Sequence, residues 1–172
     1  MTKKQTNRLR GRAFSSLLVS RVMCFLLVAM ASGLTRDAFG MILLQMLLMA
    51  VFLGLPAFNF RRIGLEDQAA VAAGDRPEER WRGLRLTLPG LLFLEAGVAA
   101  LLLMKCSILP DAVYVYKLLN PQFVGRAWFL APVTSVAGVS WPDVLCFALL
   151  PLLYPLAAQT GYWSGYRDTH WI

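Results

Sequence analysis

The chain is poor in the side chains from which active sites are assembled. It has one histidine, His170, near the end of 172 residues, so neither a Ser/His system with a histidine to spare nor a multi-histidine metal site can be built within one chain. Its three cysteines, Cys24, Cys106 and Cys146, show neither CxxC spacing nor a ligand-rich neighbourhood. Glycine-rich phosphate loops and Asn-x-Ser/Thr acceptors are absent. No catalytic residue, metal or cofactor is therefore expected, and the chain reads as a non-enzyme.

Charge is also missing, in blocks. Residues 13–35 contain only Arg21, residues 38–60 contain none, residues 86–104 contain only Glu95, and residues 144–166 contain none. Each block is close to the roughly 20 residues that cross a ~30 Å hydrocarbon layer at 1.5 Å per residue. A lone strand would leave its backbone groups unpaired in lipid, so the blocks are expected to be helices. The fold class is an all-α membrane protein: one integral domain over residues 1–172, with four transmembrane helices at about 13–35, 38–60, 86–104 and 143–166. A loop at 61–85 and a long external interfacial segment at 105–142 connect them.

Basic residues fall on alternate sides. The N-terminal tail carries Lys3, Lys4, Arg8, Arg10 and Arg12, and the middle loop Arg61, Arg62, Arg76, Arg80, Arg82 and Arg85. The first short loop has only Arg36, next to Asp37, and the long segment has Lys105, Lys117 and Arg126. Basic loops stay cytoplasmic, so a multi-pass plasma-membrane protein with both termini cytoplasmic is expected. The formal net charge of +7 follows from this asymmetry and implies contact with the lipid bilayer and its anionic headgroups rather than with nucleic acid. Residues 22–30 with Ala29-Met30-Ala31 imitate a secretory signal, but Arg21 interrupts the apolar run, which continues to Leu34, so a retained span is expected.

Two connections have character of their own. In the middle loop, residues 65–73 read as a short helix ended by Gly74. Asp75 to Glu78 has capping-box spacing for a second helix that would carry Trp81 and Leu84 into the third span and bend at Pro89. Its mixed charges read as a solvated face. In the long segment, Pro110-Asp111 opens a short helix through Val113 and Leu119 that stops before Pro121. The uncharged residues 127–141 are read as lying on the interface or the bundle, with re-entry as the alternative. Tyr114, Tyr116, Trp128 and Trp141 would form one aromatic belt, and Tyr162, Trp163, Tyr166 and Trp171 the other. Asp111 and Asp143 follow prolines and read as caps. A disulfide between Cys106 and Cys146, at neighbouring span ends, is sterically open.

Two groups stand out within the spans. Ala157, Gly161 and Gly165 recur every four residues and form a small-residue groove for another helix, with the first or third span the expected partner. Pro151 and Pro155 should bend the same helix. The second group is an intramembrane polar cluster of Arg21, Glu95 and Gln159. Arg21 is nine residues past Arg12, Glu95 ten past Arg85 and Gln159 eight before Arg167, so all lie about 12–15 Å deep. Opposite charges at one depth are expected to pair.

The functional expectation is a small accessory or scaffold subunit acting through helix contacts with a membrane-protein partner or as a homo-oligomer. The alternative is a small oligomeric transporter or channel that uses the Arg21/Glu95 pair, a reading also favoured by Gln45, Gln159 and the prolines of the fourth span. The topology is testable with single cysteines in a Cys-free background. An impermeant thiol reagent applied to intact cells should spare cysteines placed at Gln5 and Ala70 and reach one at Gln122; labelling at Ala70 but not at Gln122 overturns the assignment.

Overall fold

The computed structural model describes residues 3–31, 38–75, 77–123 and 135–167, and every regular element among them is helical. Helix α1 is Lys3–Ala31, α2 is Ala38–Ala72 and α3 is Arg82–Lys105. A short α4, Val113–Leu119, leads into a 3-10 turn at Pro121–Phe123, and a second such turn covers Val136–Gly138. The last pass is α5, Trp141–Leu149, and α6, Leu153–Tyr166, joined by a 3-10 turn at Leu150–Leu152. Four stretches, Asn7–Ala31, Phe39–Ala72, Arg82–Lys105 and Trp141–Tyr166, are long and apolar enough to cross a membrane.

Side-chain contacts give the directions. Cys24 lies against the Leu48 carbonyl and Arg12 against Glu66, so α1 and α2 are antiparallel. Tyr154 meets Gly90 and Gln159 meets Gly83, so α6 is antiparallel to α3. Gly161 faces Ala57 and Gly165 faces Arg61, so α6 is parallel to α2. The chain therefore runs up, down, up, down. Hydroxyls inside the bundle donate to their own helices: Ser16 to the Ala13 carbonyl and Ser20 to that of Leu17, both at 2.8 Å, and Thr87 to Leu84 at 2.7 Å. Such back-bonding satisfies a polar group where neighbouring side chains offer no acceptor.

The buried face of α2 explains its length. Leu44, Leu48, Phe52, Pro56, Phe60, Ile63 and Asp67 are buried at steps of three or four residues, the repeat of one helical face. That stripe continues beyond Phe60, and the strong helix formers Leu65, Gln68, Ala69 and Ala70 let the helix follow it. The expected loop at 61–85 is thus helical as far as Ala72, and α2, with 35 residues, is about 52 Å long. It ends where Gly74 adopts φ +75°, Asp75 N–H bonding the Ala70 carbonyl at 2.9 Å and Gly74 N–H that of Val71 at 3.0 Å, a Schellman cap. No helix starts at Asp75; α3 begins at Arg82, and residue 76 of the expected box lies outside the described residues.

The last pass is interrupted where its prolines predict. Pro151 falls in the 3-10 turn and Pro155 in the first turn of α6, where the N–H groups they lack would have no α-helical partner. Ser140 and Asp143 cap α5 reciprocally, Asp143 N–H donating to Ser140 Oγ at 3.3 Å. Asp111, one residue before the N-cap position of α4, accepts from Val113 N–H at 3.2 Å and from Val136 N–H at 2.8 Å, so it satisfies the first donor of α4 and ties down the second 3-10 turn. Tyr114 and Trp141 are exposed as a belt requires, but Tyr116 and Tyr162 are buried; Trp128, Trp171, the Arg36-Asp37 pair and residues 127–134 lie outside the described residues.

The small-residue groove receives α2, not the first or third span. A Cβ on Gly161 or Gly165 would overlap the carbonyls of Ala57 and Arg61, and one on Gly64 would overlap that of Tyr162. Both surfaces are pared to backbone, whereas Ala157 is only half-buried. Gly161→Leu must therefore separate the helices, and it should lower thermal stability in detergent by about 2 kcal/mol or more. Ser164→Leu, on the exposed side of α6, should leave the unfolding midpoint unchanged. Equal midpoints for the two variants would refute the contact.

Candidate functional site

The first polar centre forms where the α3–α5 connection enters the bundle. Pro121 cannot continue α4, so the chain turns at Asn120. Asn120, Pro121 and Gln122 are all buried, so this part of the long segment turns into the bundle. A Cβ on Gly97 would stand 3.4 Å from Asn120 Nδ2, and Gly97 is eight residues before Lys105, so Asn120 sits about 12 Å below that end of α3.

Arg21 of α1 points into this centre and is 8% exposed. Its Nη2 donates to Asn120 Oδ1 at 3.3 Å, and its guanidinium lies 5.0 Å from the Phe93 ring centroid. Gln122 Nε2 donates to the same Asn120 oxygen at 3.4 Å, Asn120 Nδ2 to the Tyr116 carbonyl at 3.0 Å, and Gln45 Nε2 to the Gln122 carbonyl at 3.0 Å. Helices α1, α2 and α4 are thereby joined to the inserted stretch by neutral amides and one arginine. Among the described residues no carboxylate touches Arg21, so the centre keeps its positive charge. Burial pushes the Tyr116 phenol well above its ordinary value, with the Arg21 charge opposing that rise and Glu95 adding to it. Tyr116 Oη and Gln122 Oε1 are buried without a hydrogen-bond partner among the described residues.

The three residues expected to cluster do not meet. Phe93 faces α1, since it packs edge-on against Phe14 at 5.6 Å and carries the Arg21 guanidinium. Two residues along a helix are about 200° around it, so Glu95 points to the other side of α3. Half-buried there, it has no ion-pair or hydrogen-bond partner among the described residues. Gln159 is elsewhere again. Its Nε2 donates to the Arg80 carbonyl and its Oε1 accepts from Leu84 N–H, both at 2.9 Å, so it caps the first turn of α3 from the neighbouring helix. Glu95 lies 11 residues beyond Leu84, about 16 Å farther along the axis.

A second polar centre joins the opposite ends of α2, α3 and α6. Asp67 and Arg82 form an ion pair at 2.9 Å with side chains 3% and 8% exposed, and Tyr162 donates to Asp67 at 3.1 Å. Trp163 Nε1 donates to the Arg80 carbonyl at 2.9 Å beside it. Reading the charges of this region as a solvated face holds for Glu66, Arg80 and Arg85, which are exposed, and fails for this pair. The missed signal was available: Asp67 continues the α2 stripe from Phe60 and Ile63. Asn120 and Gln122 had a weaker signal, two amides around a proline in a charge-poor segment.

Neither centre holds a nucleophile–base pair, and among the described residues no group of His, Cys, Asp or Glu could hold a metal ion. No disulfide joins Cys106, which is exposed, to Cys146. His170 lies outside the described residues. Neither a protein-family model, nor a curated protein, nor a solved structure matches the chain.

The Asp67–Arg82 pair makes a quantitative prediction. Asp67→Ala leaves a guanidinium buried without its counter-charge and should destabilise the protein by about 3–5 kcal/mol in chemical or thermal unfolding. Replacing both, as Asp67→Leu with Arg82→Met, should recover most of that loss, because the desolvation of both charges disappears together. Additive losses in the double variant would show that the two side chains are not coupled.

Proposed function

We propose that the protein is a non-enzymatic plasma-membrane protein with both termini cytoplasmic, working as an accessory or scaffold subunit through lateral contact of its helices with another membrane protein or a second copy of itself. The observation that carries this reading is Glu95. An ionisable side chain near the middle of a span is unfavourable by about 2.5–3.5 kcal/mol on insertion scales unless something engages it. Arg21, the charge that could have engaged it, is turned inward to Asn120 and Phe93. Glu95 stands on the flank of α3 away from α1, in reach of a helix that approaches from outside.

The bundle's periphery supports the same reading. Leu88, Leu92 and Leu103 of α3 and Leu145, Leu149 and Leu156 of the last pass are exposed apolar side chains, a surface suited to lipid or to a second transmembrane helix. Transport through the Arg21/Glu95 pair is disfavoured because the two groups face different sides of α3.

A stoichiometric membrane-protein partner, or a second copy of the chain, should co-isolate with the protein from mild detergent. Glu95→Ala should cut that recovery by tens of fold while leaving the unfolding midpoint of the isolated protein unchanged. Full recovery of the complex with Glu95→Ala, or isolation of the wild type alone with solute flux in proteoliposomes, would reject the accessory role.

A further inference from the structure

A cavity of about 320 Å³ opens sideways between α1 and α2 at the end of the bundle that carries the basic tail. Arg12, Ser15, Asn59, Arg62 and Glu66 line it, and Val19 and Ile63 form its apolar wall. Arg12 is held through Nη1 by both Glu66 oxygens at 3.2 Å, which leaves Nε and Nη2 for another acceptor. Arg62 is exposed and makes no hydrogen bond or ion pair among the described residues; its guanidinium lies 5.0 Å from the Phe58 ring centroid. The Asn59 carboxamide also makes no hydrogen bond among the described residues. Two guanidiniums against one carboxylate give the cleft one net positive charge.

The level of the cleft specifies its ligand further. The apolar run of α1 starts at Ala13, one residue after Arg12, and that of α2 stops at Phe60, two residues before Arg62. The donors therefore sit where hydrocarbon gives way to headgroups. Exposed Val19 and Val22 on α1 and Phe58 on α2 continue from the cleft toward the hydrocarbon side, along the path an acyl chain would take. A freely dissolved anion would have no use for that apolar wall.

We propose that this cleft binds the phosphodiester of an anionic phospholipid, Arg62 and Asn59 donating to its oxygens and Arg12 completing the site, with the acyl chains lying along α1 and α2. The site is on the α1–α2 side and does not depend on Glu95, so it stands or falls separately from the proposed subunit contact.

The full-length protein in detergent can be exchanged into phosphatidylglycerol, phosphatidylcholine or inorganic phosphate, retained lipid counted by native mass spectrometry and the unfolding temperature recorded. Phosphatidylglycerol should be retained and should raise that temperature above the value in phosphatidylcholine. Arg62→Gln should weaken retention about five-fold, the effect of one basic residue at an anionic surface. Asn59→Asp, which places a like charge in the cleft, should abolish it. Arg80→Gln removes the same single charge outside the cleft and should change retention by less than about two-fold. Equal losses from Arg80→Gln and Arg62→Gln would reduce the effect to general surface charge and overturn the site. Equal retention of phosphatidylcholine, or equal stabilisation by inorganic phosphate, would overturn it as well.

Discussion

The backbone-to-backbone contact of α6 with α2 is the constraint on which the rest of the bundle is arranged. With hydrogen in place of a side chain at Gly64, Gly161 and Gly165, the two helices approach until main-chain carbonyls occupy the space of a Cβ. At that separation the Tyr162 hydroxyl reaches Asp67, and the same helix places Gln159 over the first turn of α3. Farther along, Tyr154 is fully buried, donates to the Ala13 carbonyl at 3.3 Å and packs on Gly90 and Leu17. One helix thus contacts the other three, through close backbone packing and through hydrogen bonds. Widening the α2–α6 contact would lengthen the hydrogen bond from Tyr162 to Asp67, so the glycines and that buried carboxylate form one cooperative unit.

The sequence carries depth more faithfully than direction. Blocks without charge located all four long helices, because few polar groups are tolerated where nothing outside the protein can hydrogen-bond to them. The 3-10 interruption of the last pass falls at its prolines, since the missing proline donors act locally. Direction around the helix decided Arg21 and Glu95. Distance from the nearest charged end matches them in depth, but the buried stripe of α3 through Leu86, Gly90, Leu94, Val98 and Leu101 sets its rotation, with Phe93 toward Phe14 of α1 and Glu95 on the other flank. The end of α2 was misplaced for a related reason. Charge at Arg61 and Arg62 marks where the apolar run stops, while the inward stripe through Ile63 and Asp67 marks where the helix stops, and these are different boundaries.

The two polar centres solve the burial of arginine differently. Arg82 receives a carboxylate, which Tyr162 also engages, so the ends of three helices are held by a charge-assisted network. Arg21 receives a neutral carboxamide and an aromatic face, and its charge is left uncancelled. A carboxylate at position 120 would bind Arg21 more strongly but would also have to be desolvated in the inserted turn, where Pro121 lacks a backbone donor to help it. An amide avoids that desolvation and brings its own donors, one of which closes on the Tyr116 carbonyl.

Helix α1 contributes an inward arginine that the chain itself engages, and α3 contributes a half-buried glutamate, on its flank away from α1, for which no described residue provides a hydrogen bond or ion pair. Had both faced the interior, they could have neutralised one another and the bundle would offer a neighbour only dispersion contacts, which differ little between lipid tails and an apolar helix. Leaving Glu95 half-buried on the flank away from α1 changes the balance. A neighbouring helix with a donor at the same depth relieves a local cost of a few kcal/mol, whereas lipid cannot, so the preference for a partner over lipid concentrates at one side chain. Arg21 can then serve the interior alone, fixing the inserted turn against α1 without competing for the group on which the proposed lateral contact rests.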